Sequence, residues 1–298
     1  MQNMATWGEI LNEYNFKLSS DDLRRKYLAA LSDITGRNTI AYYSAFLHKA
    51  FDPQLSITDR DMNAFMTTVH GLDKSKGLDL ILHTPGGSIT AAESIVTYLK
   101  KIFNSNIRVI VPQMAMSAGT MIACASKEII MGNHSNLGPI DPQLGGYSCQ
   151  AVVEEFYNAV AQVQQNPNTQ LIWQVIVSKY HPGFIGDCEK AINLSTEIVE
   201  KWLLNGMFSG DRLKKGKVHK IIRYLNNHQL QKVHDRHIGA DDCKEIGLII
   251  TNMESEEKLQ DAILSVHHSF MVTFAEKNNT VKIIENNNGV RMIFNHID

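Results

Sequence analysis

The chain has 298 residues, 44% of them hydrophobic and 20% charged, with a formal net charge of −2 from 29 basic and 31 acidic side chains. That length suits one large domain or a domain with appendages, and so even a balance of charge lacks the basic footprint of a nucleic-acid binder. The four cysteines, Cys124, Cys149, Cys188 and Cys243, have no CxxC spacing, which argues against a zinc site or a disulfide frame and for reduced, buried thiols in a cytoplasmic protein.

Residues 1–35 read as a helical arm whose charges, Asp21-Asp22 and Arg24-Arg25-Lys26, are expected on a solvated face. No basic segment followed by an apolar core opens the chain, so no signal peptide is expected. Asn38 to Phe46 is rich in β-formers and predicts the first strand. Thr58 and Asp61 signal a helix start, and Met62, Phe65, Met66 and Val69 follow at helical spacing as core filler. A β-α rhythm then sets in, with a strand at 78–82, an amphipathic helix at 89–103, a strand at 107–111, a short helix at 118–125 and a strand at 128–131. Ile107 to Ala125 has the length of a membrane span, but Arg108, Pro112, Gln113 and Ser117 interrupt it, and no membrane anchor is expected. Helices are predicted through 150–208, with apolar stripes of Val152, Val153, Phe156, Val160 and Val163 and of Ala191, Leu194, Ile198, Trp202 and Leu203. A short helix at 241–247 ends on glycine. Leu259, Ile263, Val266 and Phe270 predict a longer helix, and Thr280 to Phe294 predicts a hairpin turning at Asn288-Gly289.

Strands alternating with helices imply parallel pairing, and ligands of such sheets bind beyond the carboxyl ends of the strands. Two strand-to-helix turns lie there, His83-Thr84-Pro85-Gly86-Gly87 and Met116-Ser117-Ala118-Gly119-Thr120. Side by side, they would set the hydroxyl of Ser117 next to the main-chain N–H groups of Gly87 and Ala118. A nucleophile beside two oxyanion donors is the requirement of acyl transfer. His83 either orients the Gly87 turn or is a core histidine with its hydrogen bonds satisfied.

These two blocks, followed by Leu137-Gly138-Pro139-Ile140-Asp141-Pro142-Gln143, resemble the serine-protease branch of the Clp/crotonase superfamily, most closely the serine dehydrogenase proteinases and the signal-peptide-peptidase-A-like group. The resemblance is firm over 78–165 and fades after 251. It implies an α/β fold of the β-α spiral type over 36–250, here with the helical arm of 1–35 and a C-terminal helix and hairpin at 251–298. It also implies a serine peptidase without cofactor or metal that acts on peptides or unfolded segments, and a homo-oligomer such as a trimer or hexamer. Whether an ATPase partner feeds it stays open. The apolar positions of the C-terminal hairpin, Ile283, Ile284, Val290, Met292 and Ile293, are expected to be surplus to the core and to form the oligomer contact.

The general base is less determined. Asp141, before Leu144-Gly145-Gly146-Tyr147, stands where Clp peptidases carry the catalytic histidine, and His234 stands in the stretch that carries their aspartate. A triad of Ser117, His234 and Asp141 with acid and base exchanged is one reading, since triads are defined by geometry. A lysine base, Lys179 or Lys190, is the second. Two further readings are a scaffold that binds peptides without cleaving them and a crotonase-like acyl-CoA enzyme.

Overall fold

The computed structural model describes residues 6–16, 18–50, 52–226 and 236–296. Two helices, α1 (Trp7–Phe16) and α2 (Ser20–Thr35), precede β1 (Asn38–Ser44). Ser19 caps α2 by accepting the Asp22 N–H, and Gly36 ends it in the left-handed conformation. Then come α3 (Asp61–Val69), β2 (Leu78–His83), α4 (Ile89–Ile102), β3 (Ile107–Val111), the short β4 (Met114–Ala115), α5 (Ala118–Cys124) and β5 (Ile129–Met131). These match the predicted elements to within two residues at most ends. The two-residue strands escaped the sequence reading because no periodicity develops over two residues, among them β4, β6 (Asn136–Leu137), and the pair β7 (Gln143–Leu144) and β8 (Tyr147–Ser148). The chain continues through α6 (Cys149–Gln165), α7 (Gln170–Val177), α8 (Phe184–Asn205) and α9 (Lys214–Asn226). It closes with β9 (Ile238–Gly239), α10 (Ala240–Ile246), β10 (Ile250–Asn252), α11 (Glu257–Glu276), β11 (Thr280–Asn286) and β12 (Arg291–Asn295).

A seven-stranded sheet in the order β10-β5-β3-β2-β1-β11-β12 forms the centre. The first five are parallel, and β11 and β12 join antiparallel, giving the α/β class that the β-α rhythm implied. Side chains of successive residues leave opposite faces, and adjacent tyrosines of β1 mark the two layers. Tyr42 stacks on Phe65 of α3, while Tyr43 stacks on Phe270 of α11. Helices α1, α2 and α11 cover one face, and α3, α4 and α5 pack on the other. All four cysteines are free and buried. Among the described residues no helix is long and apolar enough to cross a membrane.

Three expectations are corrected. The hairpin at the C-terminal end forms as predicted, but it is not all surplus surface: β11 pairs with β1 inside the central sheet, and Ile283 and Ile284 are fully buried in their own subunit, whereas Met292 and Ile293 are half-buried and Val290 is exposed. The β-α units left that edge of the sheet open, and the tail closes it. Of the charged run of α2, Asp22, Arg25 and Lys26 are exposed as expected, but Arg24 is not. Arg24 is fully buried, with its guanidinium bonded to Glu285 of β11, to Asp21 and to Thr273. Thirdly, Met66, Val160 and Leu194, read as core positions, are exposed. Along α6 and α7 the apolar side chains Val160, Leu171, Ile172 and Val175 all face solvent.

The place of β11 in the sheet fixes what truncation does. Removing residues 279–298 is expected to unfold the protein, because it strips β1 of a partner and leaves Arg24 buried without Glu285. Loss of the cooperative thermal transition in circular dichroism checks this, and a folded truncated chain would contradict it.

Candidate active site

The two predicted turns are laced to each other by main-chain hydrogen bonds. The Thr84 N–H donates to Met114 O (3.1 Å) and the Met116 N–H to Thr84 O (3.0 Å), so the segment after β2 runs parallel to β4. The contact is close enough to demand glycine. A Cβ on Gly86 would stand 2.7 Å from both Met116 O and the Ser117 Cβ, and one on Gly119 would stand 2.6 Å from the Thr84 Cγ2.

Ser117 occupies the N-cap of α5 with φ 51° and ψ −117°. A side chain rarely adopts that conformation, and a residue held there costs on the order of 1–3 kcal/mol. The neighbourhood enforces it. Every residue of α5 is buried, and Thr120 ties the helix to the following loop, donating to Ala115 O and accepting the Gly138 N–H, each at 2.9 Å. As first residue of α5, Ala118 keeps an N–H that the helix itself does not use.

The second turn sorts its two glycines by role. The Gly86 N–H donates to Thr84 Oγ1 (3.1 Å), whereas among the described residues neither the Gly87 N–H nor the Ala118 N–H has an acceptor. Gly87 sits at φ 147° between two bonds made by Ile57, whose N–H donates to Gly86 O (2.7 Å) and whose carbonyl accepts the Ser88 N–H (2.9 Å). Ser88 then caps α4 through the Ala91 N–H. Ile57 carries no motif, so its part could not be read from the sequence.

Ser117, Gly86 and Gly87 line one cavity of about 560 Å³, closed on its other sides by Met121, Ile140, Pro142, Leu144 and Leu194, among others. Its lining among the described residues includes no His, Lys, Asp or Glu. Asp141 lies between the lining residues Ile140 and Pro142; the residue is 2% exposed, and its carboxylate accepts the Ser148 hydroxyl at 3.0 Å. Ser148 is a partner the sequence reading missed. His234 lies outside the described residues. Lys179 and Lys190 are exposed and line no part of the cavity, and Lys190 pairs with Asp187 at 3.2 Å. A lysine base needs burial to lower its pKa, so this arrangement does not provide one. Among the described residues no cluster of His, Cys, Asp and Glu offers three ligands to a metal ion.

His83 meets neither expectation set for it. Its ring packs between Tyr43, Phe46 and His267, away from the turn's hydrogen bonds, and both ring nitrogens are buried without a partner among the described residues. Burial pushes its pKa down to about 3, so the ring is neutral.

The arrangement can stabilise a developing oxyanion beside a serine. Comparison with known proteins agrees with it. A family model described as ClpP-like SDH-type serine proteinase matches residues 53–271. Two uncharacterized proteins of Methanocaldococcus jannaschii are similar: MJ0137 is 33% identical over 202 residues, which are 67% of this chain and 63% of that protein. MJ1495 is 39% identical over 101 residues, 34% of each chain. The chain thus spans less than two thirds of either relative's length.

Two outcomes follow from this geometry. In Gly87→Ala the new methyl would stand 2.4 Å from the Ile57 nitrogen and 2.5 Å from its oxygen, so the turn must move. Labelling of Ser117 by a fluorophosphonate is expected to slow by roughly a hundredfold or more, the usual effect of losing one oxyanion donor. Gly210→Ala, at a site with open space around it, serves as the neutral control. The second outcome concerns acid. The unfolded chain takes up a proton on His83 near its ordinary pKa of 6.5, while the folded chain resists until about 3. The stability that neutral His83 contributes is therefore fully present above pH 6.5 and is lost progressively as pH falls toward 3. Melting temperatures recorded across that range should decline less steeply in His83→Phe than in the parent protein.

Proposed function

The chain belongs to the ClpP-like SDH-type serine proteinases, and on that footing we propose that it is a serine peptidase cleaving peptides or unfolded protein segments through an acyl-enzyme on Ser117. The observation that carries this reading is Ser117 at its strained positive φ of 51° beside the N–H groups of Gly87 and Ala118, which no acceptor among the described residues uses. In the first step the Ser117 oxygen attacks the scissile carbonyl and gives its proton to a base. The carbonyl oxygen takes the negative charge and receives both N–H groups. The tetrahedral adduct collapses, the amine leaves with the proton, and water then releases the acyl group by the reverse sequence.

We assign the base to His234, with Asp141 holding its imidazole. Two observations support this. The lining of the cavity among the described residues contains no titratable base. And Leu225, before the segment that carries His234, accepts the Ile140 N–H at 3.1 Å, while Ile238, after it, pairs with Leu137. The chain thus leaves and rejoins the strip that bears Asp141. The uncharged lining suits peptide side chains without charge. Self-association into a trimer or hexamer and a cytoplasmic location belong to the same proposal. The exposed apolar strip of Val160, Leu171, Ile172 and Val175 supports self-association.

The test is activity-based labelling with a fluorophosphonate, followed over pH. The parent protein should label and Ser117→Ala should not. The rate should rise through the histidine range near pH 6.5. His234→Ala and Asp141→Asn should each lose most of it, and the double variant little more, since triad members act as a unit. A parent protein that never labels would instead make this a peptide-binding scaffold.

A further inference from the structure

The direction in which the Gly87 N–H points is set by Ile57, and Ile57 is not part of the central sheet. Residues 56–58 form only an isolated bridge, Ile57 to Gly87. What holds them is a buried ion pair. The Lys282 ammonium, on β11, donates to Ser56 O (2.7 Å) and to both carboxylate oxygens of Asp61 (2.7 and 3.0 Å). Asp61, the first residue of α3, in turn accepts the Thr58 N–H (3.0 Å) and the Tyr42 hydroxyl (2.9 Å). The two residues on either side of Ile57 are therefore each fastened to the same pair. Its side chains are 1% and 0% exposed.

Such a pair is poorly explained by stability alone. Taking both charges from water costs about what their attraction returns, and apolar residues of the same volume would often serve as well. The ammonium also has geometry that an apolar side chain lacks: its bonds divide between the carboxylate and the Ser56 carbonyl. Burial lowers the Lys282 pKa, and the charge of Asp61 opposes that shift.

We infer that Lys282 and Asp61 are positioning residues of the oxyanion hole, a buried ion pair that fixes residues 56–58 and through Ile57 aims the Gly87 N–H. The inference rests on the reading of Gly87 as an oxyanion donor. Lys282 lies outside the stretch matched by the family model, which ends at residue 271. The C-terminal strand thus takes part in the site and does not merely close the sheet.

The experiment compares the parent protein with Lys282→Met and with the double variant Lys282→Met/Asp61→Leu. The single variant leaves a buried carboxylate without its cation and should melt lower. The double variant removes both charges and should regain most of that loss, which keeps the test informative if the single variant fails to fold. Three readouts are taken: melting temperature, hydrolysis of a p-nitrophenyl ester, and hydrogen exchange by mass spectrometry on peptides covering 55–58 and 86–90. In both variants exchange at the Ile57 and Ser88 amides should quicken at least tenfold while β3 and β5 stay protected. The kcat should fall roughly tenfold to a hundredfold, as for a misplaced catalytic donor, with KM within about twofold. A double variant that regains both stability and kcat would make the pair merely structural and overturn the inference, as would unchanged exchange at Ile57 and Ser88. A parent protein without esterase activity or Ser117 labelling would refute the peptidase reading, and the exchange measurement would still decide whether the pair holds the turn.

Discussion

The structure depends on how closely two strand-to-helix turns can approach. Thr84 is bonded to Met114 and Met116 through both its main-chain groups, and that lacing has room only where Gly86 and Gly119 carry no side chain. Interiors pack at the density of organic crystals, so even one added methyl must displace its neighbours. The same lacing sets Ser117 within the cavity that Gly87 lines. A backbone held at φ 51° stores strain, and the burial of every residue of α5 is what offsets it.

Charge inside the core has a different task. Successive residues of β11 face opposite layers: Glu285 meets Arg24 of α2 on one side, and Lys282 meets Asp61 of α3 on the other. A slip of one residue along β1 would exchange the faces, carrying the lysine toward the arginine and the glutamate toward the aspartate. Each of these contacts would leave like charges together in a low dielectric. Breaking a buried pair typically costs about 3–5 kcal/mol. The two pairs thus specify one register for the strand that completes the sheet, whatever their net contribution to stability.

Apolar surface is distributed unevenly. Strand β11, whose side chains looked superfluous, is among the most buried parts of the molecule, while α6 and α7 leave Val160, Leu171, Ile172 and Val175 in solvent. Both departures have one cause. A stripe of apolar residues shows that a face must be covered, and it does not show by what. Tail and sheet edge satisfied each other within the subunit. The α6–α7 stripe packs internally only through part of its length, at Val152 and Ala159.

Long elements with a clear period were determined by the sequence itself. The strands at β2 and β3, the helix α4 and the terminal hairpin follow from local patterns of alternation, helical spacing and Asn-Gly turn chemistry. So does the position of Ser117 and Gly87 at the carboxyl ends of neighbouring strands, because parallel β-α units leave their turns on one side. Other features were decided only in three dimensions. Gly87, rather than Gly86, keeps its N–H unused because the Thr84 hydroxyl takes the other. Arg24 and Lys282 are core residues because acids more than two hundred positions away in the sequence fold against each of them. Ser148 and Ile57 act through bonds to residues that no spacing rule connects. Local sequence encodes which backbone shape a segment prefers. Which polar group a buried donor or charge will meet depends on distant segments brought together, and that is settled by the packing of the whole chain.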